Sequence, residues 1–156
     1  MGLLNYTTRK EAEETAKEIE IKLLEHSVEN LKFDFGKDMA IIEFSKNVQL
    51  KSKTETVSYK IIAKINPVFE VLKKQKRSGE IKIDITYTQA KRVAWRIVKR
   101  WIDAQLAFVE TGMLRFDEVF LSYKLDEDTG LTLIEEYQSN QLMLQVPIDD
   151  KKFFLT

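Results

Sequence analysis

Apolar residues recur along this chain with two distinct periods. Ala12, Ala16, Ile19 and Leu23 fall at i, i+4, i+7 and i+11, one face of an α-helix. Thr8 and Glu11 stand before them in capping-box spacing, and acids crowd the early turns where the helix dipole favours them. The spacing predicts a helix over residues 8–26. The period then drops to two. Leu31, Phe33 and Phe35 alternate, residues 36–38 make a turn, and Ile42 and Phe44 answer on a partner strand. After a polar loop at 51–55, Val57, Tyr59, Ile61, Ala63 and Ile65 alternate again. This predicts three antiparallel strands in meander order, one face packed on helix, with Lys60 and Lys64 turned to water.

Asn66 followed by Pro67 reads as an N-cap and first helical position, and Val68, Val71 and Leu72 give the short helix its apolar side. That helix ends on a basic run before Ser78 and Gly79, as the dipole prefers. Ile81, Ile83 and Ile85 alternate and predict a fourth strand. Thr86 and Gln89, again in capping-box spacing, open the longest element, residues 87–111, which stops at Gly112 and spans ~40 Å. A shorter helix follows on Phe116, Val119 and Phe120, then a hairpin around the acidic turn 126–130 and a brief helix near 134–140. The tail from 142 to 156 is apolar enough to dock. With no linker or repeat, the pattern predicts one α+β domain over residues 1–156.

Projected at 100° per residue, the long helix divides in two. Ala90, Ala94, Ile97, Val98, Trp101, Gln105 and Phe108 share one side, with Trp101 at its centre. Lys91, Arg92, Arg96, Lys99 and Arg100 share the other, and Trp95 falls at the boundary beside them. Cationic side chains neutralise phosphates and an aromatic edge can stack on an unpaired base, so this ridge is a candidate contact for DNA or RNA. Lys73, Lys74, Lys76 and Arg77 extend it if the two helices lie side by side. The competing account is a solvated face, in which Lys99 pairs with Asp103 one turn on.

Charge sharpens the picture. The net charge is zero, yet residues 71–100 hold ten Lys or Arg against Glu80 and Asp84, a net of +8. Residues 101–150 hold two bases against eleven acids, a net of −9. Such asymmetry serves nucleic-acid contact, self-association, or pairing of one half of the fold with the other.

Catalytic chemistry finds little support. The chain has no cysteine, which removes disulfides, thiolate catalysis and Cys-based metal sites. His26 is the single histidine and stands at the end of the first helix, where a cation suits the dipole. No Gly-rich phosphate loop, zinc-protease motif or nucleophile elbow is present. Asp126 and Asp128 imitate the start of a calcium loop. However, Gly130 stands where its fifth-position oxygen ligand belongs and Tyr137 where its glutamate belongs, so a hairpin turn is the better account. Adjacent carboxylates such as Asp117 and Glu118, or Glu135 and Glu136, do not converge on one helical face. The expectation is a protein without catalytic residues, metal or cofactor. The chain shows neither a signal-peptide core nor an uninterrupted apolar span, and Tyr6 stands where myristoylation after Gly2 needs Ser or Thr. A cytoplasmic protein with no membrane partner is expected.

Two stretches carry a resemblance: NYTT with EAEETAKEIEIKLLEH near the start, and RVAWRIVKRWIDAQLAFVETGM followed by DEVFLSY. Together they resemble a family of small proteins of tailed phages and prophages. The resemblance covers both ends of the helix–meander–helix pattern and implies a host-cell cytoplasmic, phage-related setting. It brings no site residues with it. The sequence departs from the family pattern in a more basic 91–100 segment and in its C-terminal tail. The leading expectation is a non-catalytic phage or mobile-element protein that engages nucleic acid or a nucleoprotein complex through the basic helix face. A second is a protein-directed inhibitor of a host defence nuclease, with the acidic 101–150 segment imitating nucleic acid. A third is a homo-oligomer, structural or sequestering a small ligand, with basic segment facing acidic segment.

Overall fold

The computed structural model describes residues 1–144. Helix α1 (Ala12–Leu24) leads into a meander of β1 (Glu29–Phe35), β2 (Met39–Gln49) and β3 (Thr54–Lys64). Helices α2 (Asn66–Ser78) and α3 (Tyr87–Glu110) follow, then the single turn α4 (Phe116–Val119), a 3₁₀ turn at Leu121–Tyr123, and α5 (Leu133–Leu144). The sheet order is β1-β2-β3, antiparallel throughout, so the α+β meander stands as the alternation predicts. Among the described residues no helix is long and apolar enough to cross a membrane. The docking expected of the tail falls largely on residues outside those described.

Period-two alternation places one apolar face against the helices. Ile42 pairs with Phe33 and Ile61, and Phe44 pairs with Tyr59, so successive strands stack their large residues in register. Ala16, Ile19 and Leu23 of α1 and Trp95, Val98, Ile102 and Leu106 of α3 close this core from the helical side. A second core lies where α2 meets the first turns of α3: Leu72, Ile65 and Ile81 against Ala90, Val93 and Ala94. Helix α3 threads both cores, which is why it is long.

Five details depart from the sequence reading. Helix α1 starts at Ala12, with Glu11 as N-cap and Glu14 accepting the Glu11 N–H at 3.4 Å. Thr8 lies outside the helix, its carbonyl accepting from Gln89 Nε2 at 2.8 Å and its hydroxyl from the Lys10 N–H at 3.2 Å. Gln89 is thereby diverted from a capping box, and Thr86 caps α3 through the Gln89 N–H alone. Asn66 is the first residue of α2 and Ile65 its N-cap, one position earlier than Pro67 suggests. The expected fourth strand is absent: residues 81–86 pair with no strand, and Ile81 is buried with its N–H on the Gln75 carbonyl at 3.4 Å. From this loop Ile81 enters the second core and Ile85 packs against it. At the other end, the hairpin after Tyr123 is reduced to single bridges, Tyr59 to Lys124 and Leu125 to Thr132.

Candidate nucleic-acid interface

The ridge on α3 is built in part as the wheel draws it, but it faces a neighbour. Helix α1 runs beside α3 in the same direction, so acids of one meet bases of the other along the seam. Arg92 Nη2 lies 2.7 Å from Glu11 Oε1, and Arg96 holds Glu18 through Nη1. At the far end Glu110 receives Lys22 at 3.9 Å and His26 Nε2 at 3.2 Å. Lys99 turns along its own helix to Asp103 at 2.5 Å. The Arg96 side chain is only 14% exposed, and its charge is spent on the fold. Basic 91–100 is therefore balanced chiefly by the acids of α1. Of the acidic segment, Asp103 joins in through Lys99.

Trp95 corrects the wheel. It is 1% exposed, with Phe35 at 5.0 Å and Phe33 at 6.2 Å between ring centroids, and offers no free face to a base. Trp101, expected at mid-core, is half-buried against Phe120 and Tyr123. The buried stripe of α3 is turned by roughly 60° from the projected one, because Phe33 and Phe35 of β1 cover Trp95 and α1 lies along the flank of Arg92 and Arg96.

What remains available lies further back in the chain. Helices α2 and α3 do pack side by side. Glu70, Lys73, Lys74 and Arg77 follow one another at i, i+3, i+4 and i+7, a single stripe on α2. Lys73 pairs with Glu70 at 2.8 Å, whereas Lys74 and Arg77 are exposed and have no partner among the described residues. Lys76 turns aside to the Lys82 carbonyl at 2.7 Å. Arg100 is exposed and unpaired among the described residues.

Two aromatic rings tie these bases to α3. Lys73 Nζ lies 4.4 Å from the centroid of Phe69, and Lys91 Nζ lies 5.8 Å from that of Tyr87. Phe69 and Tyr87 meet edge to face at 5.4 Å and 86°, so cation, ring, ring and cation form a continuous array across the helix junction. Tyr87 Oη sits 2.8 Å from the Lys37 carbonyl and 3.0 Å from Asp38 Oδ1. Desolvation first, and the Asp38 hydrogen bond next, hold its phenol above the ordinary range. Sequence reasoning missed Phe69 and Tyr87. The signal was present, since each stands four residues before a lysine on a helix.

The acids of residues 101–140 are mostly occupied locally. Asp117 and Glu118 hold Arg115, Asp126 accepts two turn N–H groups, and Glu135 caps α5 through Thr132. Among the described residues no group of three or more His, Asp or Glu is placed to hold a metal ion. No protein-family model, curated protein or solved structure matches the chain.

Proposed function

We propose that this is a non-catalytic nucleic-acid-binding protein whose contact surface is the α2/α3 junction. The observation that carries the reading is the cation–aromatic array Lys73, Phe69, Tyr87 and Lys91, flanked by the unpaired Lys74 and Arg77. From residue 66 to 91 six bases face three acids, and Glu80 is already engaged by the chain's amino terminus at 3.7 Å. Lysines and an arginine on one helical stripe suit the phosphate backbone, and the partly exposed rings suit an unpaired base. Arg92, Arg96 and Lys99 hold the fold rather than the ligand in this reading, and Trp95 belongs to the core. The resemblance to small phage and prophage proteins is in keeping with an accessory of DNA or RNA processing in an infected cell.

The test is a salt-titrated binding assay with single-stranded DNA, duplex DNA and RNA. Affinity should fall steeply with salt. Replacing Lys73, Lys74 and Arg77 together by glutamate should weaken it by about tenfold or more and flatten the log–log salt slope by about two. Absence of binding at low salt, or a triple variant that binds as before, overturns the assignment.

A further inference from the structure

A second surface, remote in chemistry from the first, lies on the opposite face of the sheet. A cavity of about 650 Å³ opens between β3 and α5, within the size range of ligand-binding clefts. Its floor is Ile62, with Met39 and Pro67 at one end and Ile134 across from it.

The backbone at this place is unfinished. The odd-numbered residues of β3 point their N–H and carbonyl groups at β2, as the Ile65 N–H to Asp38 carbonyl bond at 2.9 Å shows. The even-numbered residues point outward. Ser58 is satisfied there by the Leu125 N–H at 2.8 Å, and the bridge to Lys124 covers that end of the edge. Beyond it, among the described residues, no hydrogen bond reaches the N–H or carbonyl of Ile62. An open edge in a cleft with an apolar floor is a template for an added strand.

The side chains select which strand. Lys60 and Lys64 stand on either side of Ile62 on the same face, and Lys64 has no partner among the described residues. Lys60 is held loosely by Glu43 at 3.6 Å. The one carboxylate in the opposite wall, Glu135, is committed to the Thr132 N–H and hydroxyl at 3.0 and 3.1 Å. Two copies meeting edge to edge would bring lysine against lysine, which disfavours self-pairing.

We infer that the β3 edge at Lys60–Lys64 receives an extended acidic peptide segment of a protein partner as a fourth strand. Its backbone pairs with Ile62, and carboxylates four residues apart on one face of the added strand meet Lys60 and Lys64.

Amide exchange on the full chain tests this, with a synthetic nonapeptide alternating glutamate and valine as the probe. The peptide should slow exchange of the Ile62 amide by about tenfold or more. Changing Lys60 and Lys64 to glutamate should abolish that effect and transfer it to a peptide alternating lysine and valine. Any of three results overturns the inference: an Ile62 amide unmoved at millimolar probe, acidic and basic peptides that act alike on the native chain, or an Ile62 amide already as protected in the free monomer as those of the β2–β3 ladder.

Discussion

The Arg92 guanidinium lies 2.7 Å from the Glu11 carboxylate, at the N-cap of the neighbouring helix. This contact and the Arg96–Glu18 pair turn the basic back of α3 into an interhelical seam. A charge-assisted hydrogen bond of this kind contributes about 1.5–3 kcal/mol where it is shielded, and less where water reaches it. Arg96 is the better shielded of the two arginines, so Arg96→Met should destabilise the fold by about 2 kcal/mol and Arg92→Met by about 1. Urea unfolding measures both. A double-mutant cycle on Arg96 and Glu18 should return a coupling of about 1 kcal/mol, and zero coupling would remove the seam from the account.

Trp95 and Trp101 should behave as opposites of their sequence-projected roles. Trp95, fully enclosed by Phe33, Phe35 and the α3 core, should cost about 3–5 kcal/mol when changed to alanine. Trp101 is half-buried, and Trp101→Ala should cost clearly less. In a Trp101→Phe variant the remaining indole should emit at short wavelength and stay unquenched by single-stranded DNA. Quenching by DNA there would return Trp95 to the interface.

How far the sequence discloses the fold follows from what each signal depends on. Strand register was legible because Ile42, Phe44, Tyr59 and Ile61 must all face one core, and a slip of one residue would expose them all. The long helix was legible from its cap and its terminating glycine. The start of α1 was not, since Thr8–Glu11 and Glu11–Glu14 have the same spacing. The bond from Gln89 that ties down the Thr8 carbonyl joins residues 81 apart, which local spacing does not reveal. The pairing of Arg92 and Arg96 was not legible for a related reason: a helical wheel separates basic from apolar but cannot show that a second helix, rich in acids, covers part of the basic side.

The isoleucines at 81, 83 and 85 give a third test. In a strand with one buried face they would share burial and matter about equally. As a loop they do not: Ile81 is 2% exposed in the second core, Ile85 is half-buried at its margin, and Ile83 is half-buried without joining it. Ile81→Ala should therefore cost about 2–4 kcal/mol, and Ile83→Ala less than half of that. Equal losses in thermal or urea unfolding would favour a strand.

Tyr59 makes the stability of the fold depend on pH in the alkaline range. It is enclosed by Phe44, Phe116 and Phe120, and burial first, with the negative charge of Asp117 second, pushes its phenol up to about 12. An unfolded tyrosine ionises near its ordinary value of 10. Between these two values the unfolded chain has released a proton that the folded chain retains, so unfolding is favoured as pH rises. The stability this residue brings is intact below pH 10 and declines through the interval to about 12, by about 2–3 kcal/mol in total. Other tyrosines and lysines titrate in the same range, so the difference between native and Tyr59→Phe proteins isolates the effect. The native curve should fall more steeply than that of the variant above pH 10, with the two parallel below it. Parallel curves throughout would show that the phenol keeps its ordinary pKa and that its surroundings are wet.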